Sequence, residues 1–178
     1  SLMAATGRRD RRAFTELYRR YQPRLLAYLR RLLASPVLAD EIVDDVMFVV
    51  WEDAKKFRGN SAVSSWIFGI AYRKTMSALR REQRYQAGID RSRDTSRLPA
   101  GAERSFDVLH AGLAHLSPDH RQVVELTYFC GFSYDEIAEI ARCPVNTVKT
   151  RMFHARRRLK HLLPLLAGDV RAQDYDHG

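Results

Sequence analysis

SYDEIAEIARCPVNTVKTRMFHARRRLKHLL, residues 133–163, reads as two short helices with a tight break between them. Ser133 and Glu136 have the spacing of a capping box, in which each side chain satisfies a free amide of the other residue. Ile137, Ala138 and Ala141 then follow at helical intervals. Pro144 disfavours helical geometry at Cys143 yet suits the first turn of a new helix, so the break falls at Cys143. Beyond it Val145, Val148, Met152, Ala155 and Leu159 form a core stripe, which leaves Asn146, Thr147, Lys149, Thr150, Arg151, Phe153 and His154 on the free side. Between Ala141 and Leu163 there are seven basic residues and no acidic one. A helical pair whose second member is polar and basic on its exposed face is the arrangement that enters the major groove of DNA. The bland alternative is a helical hairpin with a solvated basic flank.

The rest of the chain is charged in alternating blocks. The net charge of +9 over 178 residues divides into +7 for residues 1–34, −4 for 35–57, +5 for 58–85, +1 for 86–105, −5 for 106–140, +7 for 141–163 and −2 for 164–178. A protein that only coats nucleic acid has little reason to keep acidic blocks, so two kinds of partner are expected, one of them basic. No run reaches the roughly 20 apolar residues of a membrane span, and the start lacks the apolar stretch of a secretory signal. A cytoplasmic protein without membrane insertion is expected. Cys130 and Cys143 fit neither a disulfide framework nor zinc spacing and read as buried reduced thiols. The six histidines show no metal-ligand spacing, so neither a metal nor a cofactor is expected.

Taken in order, residues 10–33 carry two apolar stripes divided or kinked at Pro23, and their arginine pairs read as a solvated face. Ser35 and Pro36 open a further helix whose Ile42, Val43, Val46, Met47, Val50, Ala54 and Phe57 face a core. On its opposite side Glu41, Asp44, Asp45, Phe48 and Glu52 gather, and a Phe among carboxylates suggests a contact patch. The carboxylates lack a neighbouring histidine or glycine-rich loop, which argues against an enzyme. A polar loop, Arg58–Ser61, precedes a helix with Trp66, Ile67, Ile70 and Ala71 inward and a basic second half of Arg73, Lys74, Arg80, Arg81 and Arg84. Aromatic and basic residues beside a polar loop suit single-stranded nucleic acid, although the spacing of Trp66 favours the core. Residues 86–105 have no apolar period and read as a flexible linker. Ser117 and Pro118 open a supporting helix for the pair at 133–163. The fold expected is all-α: two small helical domains, 1–85 and 106–166, the second a four-helix domain containing a helix-turn-helix, with a frayed tail at 167–178.

The block DEIVDDVMFVVWEDAKKFRGNSAVSSWIFGIAYRKTMSALRR, followed across the linker by LSPDHRQVVELTYFCGFSYDEIAEIARCPVNTVKTRMFHARRRL, resembles the bacterial sigma-70 family of RNA polymerase sigma factors, in its two-domain extracytoplasmic-function form. The resemblance implies an initiation factor rather than an enzyme. It assigns Glu41, Asp44, Asp45 and Phe48 to a coiled coil of the core polymerase's largest subunit. Asn60, Ser61, Arg73, Lys74 and Arg80 are assigned to the melted minus-ten element. Lys149, Thr150, Phe153 and His154, with Thr147 beside them, are assigned to the bases of the duplex minus-thirty-five element, and Arg151 and Arg157 to its phosphates. It also implies an anti-sigma protein as partner. The chain departs from the family pattern at Arg73 and Ser77, where Asn and Asp are common, at Arg142 and Asn146, where Gly is frequent, and at His154, where Arg is frequent.

Overall fold

The computed structural model describes residues 1–89 and 104–174, which form an all-helical protein. Helices α1 (Leu2–Gly7), α2 (Arg11–Leu32), α3 (Pro36–Asp53) and α4 (Val63–Ile89) make the first half, with a 3-10 turn at Ala54–Lys56 after α3. The second half holds α5 (Arg104–Ala114), α6 (Pro118–Tyr128), α7 (Tyr134–Ala141) and α8 (Val145–Asp174).

The helix starts follow from side-chain caps. Asp10 accepts from the Arg12 and Ala13 amides at 2.9 and 3.2 Å, Ser35 from Leu38 at 3.2 Å, and Ser117 from His120 at 3.4 Å. In α7 the box is complete: the Glu136 amide donates to Ser133 Oγ at 3.3 Å and the Ser133 amide to Glu136 Oε2 at 2.9 Å. Each such cap is worth about 1 kcal/mol. Inside each half one apolar stripe per helix is buried. Leu17, Leu25 and Leu29 of α2 meet Val43, Val46 and Val50 of α3 and Ile67, Phe68 and Ala71 of α4, and Val123, Val124 and Leu126 of α6 join Ile137, Ile140, Val148, Met152 and Ala155.

The two halves also pack on one another. Phe68 of α4 lies edge-on to Phe132, before α7, with ring centroids 4.9 Å apart, and to its other side lies Tyr28 of α2 at 5.5 Å. The Tyr28 hydroxyl donates to Gln122 Oε1, and Arg121 donates to the Arg31 carbonyl. Arg31 Nε meets Glu125 Oε2 at 2.7 Å, with the Glu125 side chain only 1% exposed. Burial pushes the Glu125 carboxyl above its ordinary range against the opposing pull of Arg31. Arg31 also lies over the Phe129 ring at 4.6 Å. The arginines of α2 are therefore not uniformly a solvated face: Arg31 is enlisted by the second half.

At three places the helices run further than the sequence reading draws them. Helix α2 is continuous across Pro23. Helix α4 extends to Ile89 and α5 begins at Arg104, so the stretch read as linker is helical at both ends; residues 90–103 lie outside the described residues. Helix α8 continues through Pro164 to Asp174, and residues 175–178 at the end of the expected tail lie outside the description. The last turns of α8 before Pro164 pack on α5. Gly112 of α5 presses against α8 so closely that an added methyl would lie 2.9 Å from Leu163 Cδ2.

Arg142 ends α7 in the left-handed region, φ 52° and ψ 50°, and its amide bonds back to the Ala138 and Glu139 carbonyls. This is the helix end that glycine suits, because a Cβ crowds the backbone there. Arg142→Gly is expected to raise stability by about 1 kcal/mol, read as an upward shift of the denaturant midpoint with an unchanged slope. A lowered midpoint would contradict the assigned strain.

Candidate nucleic-acid and polymerase interfaces

Helix α8 presents a polar and basic face because Val148, Met152 and Ala155 bury the opposite one, at 0, 2 and 0% exposure. Lys149, Thr150, Phe153, His154 and Arg157 are exposed and Thr147 half-exposed. Phe153 is 62% exposed, unusual for so large an apolar side chain. The Thr150 hydroxyl is turned back onto the Asn146 carbonyl at 2.9 Å. Arg151 stands apart from this group. Its guanidinium meets Asp119 Oδ1 at 2.7 Å and donates to the Tyr72 hydroxyl at 3.4 Å, so it ties α8 to α6 and α4.

The acidic face of α3 is open. Glu41, Asp44 and Asp45 are exposed beside Phe48, which is 64% exposed. Asp44 accepts from the Tyr18 hydroxyl at 3.1 Å, and Asp45 meets Lys74 Nζ at 2.8 Å. Residues expected to serve polymerase and residues expected to serve melted DNA therefore touch at one point. Glu52, at the far end of the stripe, is taken up by Arg9 at 2.8 Å, and this pairing holds its carboxyl below the ordinary range.

Asn60 and Ser61 sit in the loop between the 3-10 turn and α4, where Gly59 supplies a φ of 73°. Trp66 is half-buried and edge-on to Phe57 at 5.6 Å, which gives it a packing role. Arg73 and Arg80 line a cleft of about 780 Å³ between the halves, together with Arg84, Tyr72, Asp119 and Arg151. Burial and the nearby Arg142 charge lower the Arg73 pKa from its ordinary value. An excess of guanidinium in an open cleft suits phosphate oxygens. The structure thus gathers Arg73 and Arg80 in one cleft, whereas Lys74 is turned toward α3.

Sequence reasoning missed the contact between the halves. Gln122, Glu125 and Phe129 are spaced i, i+3 and i+7 on α6 and its C-cap, and Arg24, Tyr28 and Arg31 i, i+4 and i+7 on α2. Those two polar-aromatic lines, beside the apolar stripes, were the available signal. Cys130 and Cys143 are free and half-buried rather than fully buried, and burial pushes the Cys130 thiol up to about 11. Among the described residues no group of three or more His, Cys, Asp or Glu could hold a metal ion, and no helix is long and apolar enough to cross a membrane.

Comparison with known proteins accords with this geometry. The family described as sigma-70 region 2 matches residues 17–85, and that described as sigma-70, region 4 matches residues 106–159. The chain is 30% identical to the ECF RNA polymerase sigma-E factor of Haemophilus influenzae, covering 88% of this chain and 91% of that protein. It is 28% identical to the RNA polymerase sigma-H factor of Pseudomonas aeruginosa, over 93% and 94% of the two chains. Among solved structures it is similar to the sigma factor RpoE of Bartonella quintana in complex with the anti-sigma factor NepR, at 27% identity and a TM-score of 0.69, over 85% of this chain and 96% of that one. CnrH, solved with the cytosolic domain of CnrY, shares the fold at 24% identity and a TM-score of 0.71. With α2–α4 forming region 2 and α5–α8 region 4, the chain belongs to the sigma-70 family as an extracytoplasmic-function sigma factor, a non-catalytic factor that directs RNA polymerase to promoters by recognition of the minus-ten and minus-thirty-five elements.

Proposed function

We propose that the acidic face of α3 is the handle by which core polymerase holds this chain, with Glu41, Asp44, Asp45 and Phe48 contacting a helical coiled coil of the largest subunit. The exposure of Phe48 among carboxylates carries this reading, because a DNA-binding regulator has no use for such a patch. Asn60, Ser61, Arg73, Lys74 and Arg80 take the melted minus-ten strand. Extracting a base from the stack costs a few kcal/mol, which phosphate neutralisation and pocket contacts offset. Lys149, Thr150, Phe153 and His154, with Thr147, read the duplex minus-thirty-five element, and Arg157 neutralises a phosphate. Arg151 serves that phosphate contact only after exchanging its Tyr72 contact. The factor works in the cytoplasm.

The halves must also separate. The minus-ten and minus-thirty-five elements lie about 25 base pairs, roughly 80 Å, apart on straight duplex at 3.4 Å per base pair. Here Tyr72, next to Arg73, is 3.4 Å from Arg151, next to Thr150. The arrangement described is therefore a closed one that cannot span a promoter. Its likeness to RpoE in complex with NepR extends over both halves, which supports an anti-sigma partner that favours this closed form.

Run-off transcription with purified core polymerase tests the reading, and initiation at a subset of genomic templates is expected. Asp44→Lys with Asp45→Lys should abolish core binding while leaving duplex binding intact. Loss of the exposed Lys74 pair costs at most about 1 kcal/mol, too little to unfold the protein. Core binding that survives the double reversal refutes the handle. Lys149→Ala should weaken a matched minus-thirty-five site by about 1–3 kcal/mol more than a scrambled one. Arg157→Ala should weaken both equally and lower the salt slope by about one unit. Equal losses on both sites for Lys149→Ala would remove it from the base-reading set.

A further inference from the structure

The reading face of α8 is not made by α8 alone. A recess of about 290 Å³ opens on it, lined by Asn146, Thr147, Thr150, Arg151 and His154 of α8, and closed on one side by His120 of α6. His120 is the third residue of its helix, held by the Ser117 cap. Its ring stacks on His154, with centroids 6.0 Å apart and planes inclined by 27°. Phe153 also meets His154, edge-on at 5.5 Å and 75°. His154 thus meets two rings, one from its own helix and one from α6. The neighbouring Arg151–Asp119 ion pair at 2.7 Å fixes the separation of the two helices at this point.

An exposed imidazole on a helix ordinarily samples several rotamers, and a side chain that samples several positions discriminates poorly between base edges. Stacking removes that freedom and gives the ring one plane relative to the helix axis. Burial and the facing His154 lower the His120 pKa, with Asp119 opposing and Arg151 adding to the effect. The shift favours the uncharged His120 ring, the form that stacks on a second imidazole without repulsion.

From this geometry we infer that His120 is a specificity-determining positioning residue for the minus-thirty-five element, acting by holding the His154 ring in the plane from which it reads a base. The inference rests on the proposed role of α8 as reader of that element. His120 itself need not touch DNA. A bare helix replacing His154 by its neighbours alone would read the same position more loosely.

The test uses holoenzyme reconstituted from the full chain and core polymerase, with a promoter pool randomised through the minus-thirty-five element and sequenced after transcription. His154→Ala should flatten the base preference at one position by about tenfold. His120→Ala should flatten the same position to a comparable degree, leaving core binding and the other positions unchanged. His120→Phe, which keeps a stacking ring but has no hydrogen-bonding nitrogen, should retain the wild-type preference. If His154→Ala changes the preference and His120→Ala does not, or weakens all sequences equally, the positioning role is wrong while α8 remains the reader. If His120→Phe behaves as His120→Ala, stacking is not the mechanism. If His154→Ala itself changes nothing, the underlying assignment of the reading face fails and the positioning role falls with it.

Discussion

The Arg31–Glu125 pair, together with the packed Tyr28, Phe68 and Phe132 rings, is the contact on which the described arrangement depends. A carboxylate at 1% exposure costs several kcal/mol to desolvate, and a single guanidinium at 2.7 Å returns that only in good geometry. Glu125 Oε1 and Gln122 Nε2 are left buried without a protein partner, so the seam is specific without being optimal. Such a contact fixes one register between the halves and remains openable. Truncating one partner alone strands the other's charge, which makes the pair a sensitive point of control.

The functional surfaces are what the helices have left after this packing. Helix α3 buries Val43, Val46, Met47 and Val50 and so must turn Asp44, Asp45 and Phe48 outward. Helix α8 buries Val148, Met152 and Ala155 and so must turn Lys149, Thr150, Phe153 and His154 outward. No separate device is required to display either patch. The closed form adds a second layer, since Arg151 and Tyr72 join elements that belong to different promoter contacts. Region 4 is therefore more than a docked hairpin: its α6 supplies both the seam, through Gln122 and Glu125, and one wall of the recess on the proposed reading face, through His120.

Local chemistry made most of the fold legible in the sequence. Ser133 with Glu136, Ser35 with Pro36 and Ser117 with Pro118 mark helix starts that the backbone adopts, and the stripes of α3 and α8 are buried as their period requires. Those signals are contained within a few residues. The illegible parts are tertiary. Arg30 and Arg31 are adjacent, yet Arg31 faces Glu125 and Arg30 faces Asp40, and only the line it shares with Arg24 and Tyr28 sets Arg31 apart. Nothing after Pro164 announces the helix that continues to Asp174. His120 looks like an ordinary first-turn residue until α8 is placed beside it. Pairings between distant segments depend on which faces meet, and periodicity within one segment carries no information about that.

The most direct measurement is the distance between the halves, followed by energy transfer between a donor at Ser77 and an acceptor at Lys160. In the free chain the two dyes should be close, as the contact of α4 with α7 and α8 requires. On assembly with core polymerase at a promoter the distance should increase by tens of ångströms, toward the roughly 80 Å that separates the two elements. A separation that remained short in an actively initiating complex would contradict the account.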